Sequence, residues 1–430
     1  MEIIEYKNIK ETVFHEKLNN GLSLKIIPKK GYKKTFVCLG TNYGSLTNIF
    51  KPLNEVDYQE MPLGIAHFLE HKMFEKEDED DISNRFAELG LEVNAYTDYT
   101  ETVYLFYGSN NLEIGLNLLL DFVQIPYFNE ESVENEKGII KQELLMYLDS
   151  PKERLHNGLM ENMFKKYPLR YDVGGTVESI NNINSDLLYK CYYTFYHPSN
   201  MSLVIVGDVD PYHISDIVIR NQNKKKFLDN FIIDKKYDFE NEVVNSKSSS
   251  INMDVVRPKV SVGIKLPHQK YLENEAMMIE LMLKIIMEIK IGPSSNYYQE
   301  LIDNELISGG IGYSVFLDGN AGYIKLRADS NKPEELKEEL KKFLLSLNKI
   351  EICDEEFVRF KKAVLGSFLK ELNDPEFIAT SFIEYDFKNC DLFSSIGLIE
   401  GLTLEDIKKM GNYFKEEALC DFTVYPQLWK

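Results

Sequence analysis

Thr102-Val-Tyr-Leu-Phe-Tyr107 decides the fold. Its side chains alternate: Thr102, Tyr104 and Phe106 face one way, Val103, Leu105 and Tyr107 the other. Both sets are largely apolar, so the spacing predicts a strand with helices on one side and a cavity on the other. A second strand, Glu92–Thr97, lies just upstream, after Phe86-Ala-Glu-Leu-Gly-Leu91 and a helical segment at Gly64–Phe74. Downstream come an apolar helix, Leu112–Val123, and a longer one, Glu130–Leu148, stopped by Asp149-Ser-Pro151.

The same order recurs later in the chain. A helical segment (Glu275–Glu288) leads to Leu301-Ile-Asp-Asn-Glu-Leu306, then strands Gly310–Phe316 and Tyr323–Ala328, a helix Glu334–Leu347 and a longer helix Asp354–Leu372. That last helix stops at Asn373-Asp-Pro375. Paired strands followed by paired helices indicate an α+β fold of mostly antiparallel sheets. The recurrence indicates two homologous halves. Polar stretches at Asn221–Lys226 and Asn245–Ser250 separate them. The expected domains are residues 1–225, which carry the chemistry, a linker at 226–250, and residues 251–430, with the same fold and no metal site.

The composition narrows the function. The 430 residues carry 49 basic and 69 acidic side chains, a net charge of −20. That excludes a general nucleic-acid binder, which needs a basic surface. No apolar run is long enough for a membrane-spanning helix. Met1–Lys10 has no apolar signal core, so the expected location is the cytoplasm. Five cysteines, none in C-x-x-C spacing, form neither a disulfide framework nor a thiolate zinc site. No phosphate-binding G-x-x-x-x-G-K-[ST] and no G-x-S-x-G serine elbow occurs.

One segment carries chemistry: His67-Phe-Leu-Glu70-His71. Ile65, Phe68, Leu69 and Met73 give it a helical apolar pattern, so His67 and His71 project from one face on consecutive turns. That spacing can chelate one Zn²⁺, with Glu70 beside the pair. This is the H-x-x-E-H order of inverzincins. Two neutral nitrogen ligands hold the ion, and a carboxylate takes a proton from water. A third ligand is expected from the long helix, where Glu136 and Glu143 lie two turns apart on one face. Pattern alone leaves the choice between them open. His15, His156, His197, His213 and His268 are isolated and read as structural or surface residues.

Further segments extend the pattern. They are Leu18-Asn-Asn-Gly-Leu-Ser-Leu24, Tyr43-Gly-Ser45, Asn94-Ala-Tyr-Thr97, Glu136-Lys-Gly-Ile-Ile-x-Gln-Glu143, Phe195-Tyr-His-Pro-Ser-Asn-Met201 and Val204-Ile-Val-Gly-Asp208. Together with the histidine motif they resemble the pitrilysin/insulinase family of zinc peptidases, which includes the mitochondrial processing peptidases. The resemblance covers most of the chain. It implies two halves forming a clam-shell chamber and one Zn²⁺ per chain, held by His67, His71 and Glu143. Glu143 lies 72 positions past the second histidine, somewhat short of the family's usual gap. The resemblance further implies Glu70 as general base, Glu136 as support for the site, and a peptide substrate laid as an added strand along Asn94 and Ala95.

One feature departs from the family. Many members supply an arginine and a tyrosine from the second domain to the reacting carbonyl. Tyr313 matches the tyrosine, but no basic residue occurs between Lys290 and Lys325. Such donors contribute about 3–4 kcal/mol. The expected function is therefore a zinc endopeptidase for short unfolded peptides. It would be the zinc-bearing subunit of a heterodimer with a related chain that supplies the arginine, or a homodimer. The alternative is a non-catalytic structural subunit of the same family.

Overall fold

The computed structural model describes residues 1–77, 81–271 and 274–427. The chain divides into two compact units, each discontinuous in sequence. The first comprises Met1–Leu144, Asp172–Tyr237 and Lys370–Ser394. The second comprises Leu145–Tyr171, Asp238–Leu369 and the residues from Ser395 onward.

The strands of the first unit are β1 (Glu2–Tyr6), β2 (Glu11–Lys17), β3 (Ser23–Pro28), β4 (Thr35–Thr41), β5 (Ile49–Phe50), β6 (Gln59–Glu60), β7 (Glu92–Thr97), β8 (Thr102–Gly108) and β9 (Met201–Gly207). Seven of them form one sheet in the order β1-β2-β3-β9-β4-β8-β7, with β7 at an edge. Only β3 and β9 run parallel; the other neighbours are antiparallel. Every residue of β4 and β9 is buried, as central strands covered on both faces require. Its helices include α1 (Ile65–Met73), α2 (Ile82–Glu88), α3 (Leu112–Gln124) and α4 (Glu130–Asp149), the last of which runs on into the second unit from Leu145; α5 (Pro151–Met163) lies in the second unit.

Helices cover both faces of the sheet around β8. Tyr104 packs on Phe74 and on Phe122 of α3, with ring centroids 6.3 and 5.5 Å away. The opposite face, which carries Gly40 and Ser202, is covered by the helix Pro375–Phe387. A Cβ on Gly40 would collide with Ile383, and Ser202 Oγ donates to Asp386 at 2.6 Å. The sheet therefore carries helices on both of its faces, with 375–387 lying over β4 and β9.

The second unit repeats the plan with β10 (Ser248–Met253), β11 (Lys259–Leu266), β12 (Ile311–Leu317), β13 (Gly322–Asp329) and β14 (Leu419–Pro426). Their order, β10-β14-β11-β13-β12, reproduces β3-β9-β4-β8-β7 strand for strand, including the one parallel pair. Here α5 packs on β11 and β14, and a Cβ on its Gly158 would collide with the Phe422 ring. A buried ion pair, Lys265 Nζ to Glu240 Oε1 at 2.8 Å, anchors this unit. Glu240 also accepts the N–H groups of Lys165, Lys166 and Tyr167, at 2.7 to 3.0 Å.

The expected single division at 226–250 needs two corrections. The helices that follow the two long helices change sides, so residues 145–171 belong with the second sheet and 370–394 with the first. The serine-rich end of the expected linker is strand: Ser248–Met253 pairs with β14, its polar side chains largely exposed. An edge strand needs little apolar surface, so its composition reads as loop.

Candidate metal centre

The site begins where α1 begins. Gly64 precedes the helix at φ 83°, a left-handed conformation that disfavours any residue with a Cβ. A Cβ there would also collide with the carbonyl oxygen of Gly174. The loop around Gly174 can therefore close on the helix start, and Ser179 Oγ donates to Leu63 O at 2.8 Å to hold it. Ile65, Phe68, Leu69 and Met73 are buried on the inner side of α1, which turns His67 and His71 towards α4. The two imidazole centroids lie 4.6 Å apart.

Helix α4 brings its carboxylates to them. Glu143 Oε2 is 3.8 Å from His67 Nε2 and 3.5 Å from His71 Nε2. These three residues are the one group of potential metal ligands that converges among the described residues, with ligand atoms all within 4.8 Å of one another. Bonds of about 2 Å to a tetrahedral ion would place such atoms about 3.3 Å apart, so the donor set fits a small divalent cation. Glu136 does something else: its Oε1 is 3.0 Å from His71 Nδ1, the nitrogen turned away from Glu143. That bond fixes the ring and directs its other nitrogen inward. The corresponding Nδ1 of His67 is buried without a hydrogen-bond partner, with Gly174 beside it.

The electrostatics agree with the geometry. Burial, then the neighbouring His71, pushes the His67 pKa down to about 4, so the ring stays neutral and keeps a lone pair. Burial also opposes charge on His71, but the bond to Glu136 and the carboxylates of Glu70 and Glu143 hold its pKa above the usual value. Burial raises the Glu70 carboxyl above the ordinary glutamate range, partly offset by the hydroxyl of Thr97 donating to its Oε2 at 2.7 Å. Glu70 is therefore held beneath the edge strand β7.

Asn94 and Ala95 lie on that edge strand. The Ala95 N–H donates to the side chain of Asn94 at 2.9 Å, so the chain itself satisfies that edge donor. Tyr313 sits in β12 of the second unit, where its hydroxyl donates to Glu288 at 2.7 Å and its ring packs on the core. Sequence reasoning assigned no role to two positioning contacts. Thr97 orients Glu70, a contact between elements with no local signal. Lys72 is wholly buried; it pairs with Glu75 and donates to Ser132 at 2.9 Å, tying α1 to the first turn of α4. The signal available for Lys72 was a lysine falling between buried positions of an amphipathic helix.

Comparison with known proteins agrees with this arrangement. Residues 57–177 match the family described as Insulinase (Peptidase family M16), and residues 182–364 match its companion, Peptidase M16 inactive domain. The chain is 43% identical over 418 residues to the uncharacterized zinc protease YmfH of Bacillus subtilis (strain 168), covering 97% of this chain and 96% of that protein. An M16-like peptidase structure from Alicyclobacillus acidocaldarius superposes with a TM-score of 0.92 at 32% identity, covering 97% of this chain and 99% of that one. A protease from Helicobacter pylori shares the fold, with a TM-score of 0.82 at 22% identity, over 96% and 99% of the two chains. With its two sequence matches, this close relative and the converging His67, His71 and Glu143, the chain belongs to the insulinase family of peptidases, M16.

Proposed function

We propose that the protein is a zinc-dependent endopeptidase acting on short unfolded peptides. The observation that carries this reading is the convergence of His67, His71 and Glu143, with Glu70 beside them under an open sheet edge. Zinc, when bound by these three side chains, supplies a Lewis acid that acidifies water and polarises a carbonyl. Glu136 holds the His71 ring in place. Asn94 and Ala95 offer main-chain groups to an extended peptide, which first displaces the Asn94 side chain from the Ala95 N–H. Water adds to the scissile carbonyl carbon as Glu70 takes its proton. The C–N bond then breaks, and Glu70 returns the proton to the leaving amine nitrogen.

The second half lacks an arginine in the stretch that holds Tyr313, and its family description is that of an inactive domain. On this reading the chain is the zinc-bearing subunit of a heterodimer with a related chain, or pairs with itself, and alone it turns peptides over slowly. Five free cysteines, Cys353 among them exposed, support a reducing compartment, the cytoplasm. No helix among the described residues is long and apolar enough to cross a membrane.

Metal analysis of the purified chain tests the reading. About one zinc per chain is expected, lost in Glu143→Ala. Glu70→Gln should keep the zinc and lower peptide cleavage by about 10²–10⁴-fold. Unchanged cleavage in Glu70→Gln would overturn the mechanism. Bound zinc with no cleavage, even beside a related chain, would favour the structural-subunit reading.

A further inference from the structure

The second unit gathers positive charge on one face of its sheet. Lys325 and Arg327 are two residues apart on β13 and so share a face. Their partners on the edge strand β12 are Ser314 and Gly312. This is the face that receives α5, because Gly263, the β11 partner of Lys325, abuts Leu159 and Met163. Tyr313, between Gly312 and Ser314, points the other way, to Glu288.

Helix α5 adds to the cluster. His156 Nδ1 accepts a hydrogen bond from Lys325 Nζ at 2.7 Å, which places the ring beside the two cations. Burial, then Lys325 and Arg327, pushes the His156 pKa down to about 3, so it stays neutral. Burial, then repulsion from Arg327, lowers the Lys325 pKa to about 8. Lys152, one turn before His156, adds a further cation, and Glu153 is the carboxylate that offsets Lys325. Glu153 is itself 3.7 Å from Lys152. Among the described residues no carboxylate lies within ion-pairing distance of Lys325 or Arg327. Arg327 lies across Gly312, where a Cβ would be 3.2 Å from its Nε. Arg327 is exposed.

Cations held side by side with no carboxylate in ion-pairing distance are costly, and in a chain of net charge −20 they are not a general surface property. We propose that Lys325, Arg327 and His156 form a carboxylate-binding site on the second unit, and that it takes the carboxylate of a peptide, at the C-terminus or on an aspartate or glutamate side chain. The guanidinium fork matches a planar carboxylate, and the ammonium beside it adds a second charged donor. The Tyr323 ring, 5.7 Å from Lys325 Nζ, supplies an apolar wall, and the edge of β12 offers backbone groups to an extended chain. The peptide nature of the ligand rests on the peptidase reading; the charge arrangement does not.

The test is fluorescence anisotropy on the full chain carrying Glu70→Gln, so that binding is read without turnover. The probe is a labelled alanine-serine peptide of roughly 12 residues in three forms: free C-terminal acid, C-terminal amide, and amide with two internal aspartates. The acid form, the aspartate form, or both should bind about tenfold tighter than the neutral amide. Arg327→Gln and Lys325→Met should each remove that preference, leaving the neutral amide's affinity and the melting temperature unchanged. Preference for the acid form alone identifies the C-terminus, and for the aspartate form alone an acidic side chain. Equal affinity for all three, no binding by any, or a preference that survives both substitutions together overturns the proposal. Wild-type cleavage, measured separately, tests the peptidase reading independently.

Discussion

Glu136 and Glu143 sit two turns apart on one helix, yet they do different things. Glu143 faces both Nε2 atoms, while Glu136 meets only the outward Nδ1 of His71. A support of this kind typically contributes 10–100-fold in metal affinity. Glu136→Gln should therefore weaken zinc binding by roughly that factor in a chelator competition, whereas Glu143→Ala should abolish it. Equal losses would mean that both carboxylates are ligands. Gly64→Ala tests the other end of the site. The left-handed backbone and the Gly174 carbonyl leave no place for a methyl group, so zinc affinity and thermal stability should fall together.

At the scale of elements, two helices seat on sheets through missing side chains. Helix Pro375–Phe387 presses Ile383 into the space over Gly40, and α5 presents Gly158 to the ring of Phe422. Overpacking such a contact costs about 1–3 kcal/mol, so Gly158→Val should lower the melting temperature while zinc content stays at one per chain. The loop after α5 depends on Glu240. Burial alone would raise its pKa; the bond from Lys265 and the three backbone N–H groups outweigh it and hold the carboxyl below the usual range. A carboxyl depressed in the folded state stabilises above its unfolded value of about 4.3, and that contribution is lost as pH falls through the folded value. Glu240→Gln leaves Lys265 buried without its counter-charge and should cost about 3–5 kcal/mol at pH 7. Urea titrations should show that gap at pH 7 and a narrower one in acid, once the pH falls below the usual glutamate range and the wild-type carboxyl protonates.

For the molecule as a whole, the exchanged helices decide what can fold alone. Residues 1–237 contain the seven-stranded sheet but not 375–387, which covers its second face. Expressed alone, this fragment should be aggregated or molten, with exposed apolar surface that binds a hydrophobic dye. Co-expression with residues 238–430 should restore a soluble, zinc-binding pair. A well-folded 1–237 fragment would show that the helix is dispensable. The internal repeat and the family resemblance predicted two consecutive halves; each compact unit instead draws segments from both parts of the chain.

Local chemistry was legible in the residues themselves. Alternation at Thr102–Tyr107, helical spacing at Ile65–Met73 and the proline stops after both long helices depend on the nearest few residues, and each element forms close to where its pattern lies. The i, i+4 histidines were legible for the same reason, because helix geometry alone places them on one face. Three things waited for the tertiary structure: the division of labour between Glu136 and Glu143, the hold of Thr97 on Glu70, and the gathering of Lys325, Arg327 and His156. The exchange of residues 145–171 and 370–394 between the sheets belongs with them. Each joins segments distant in the chain, and a pattern with a period of two or 3.6 residues describes which way a side chain points, not what comes to meet it.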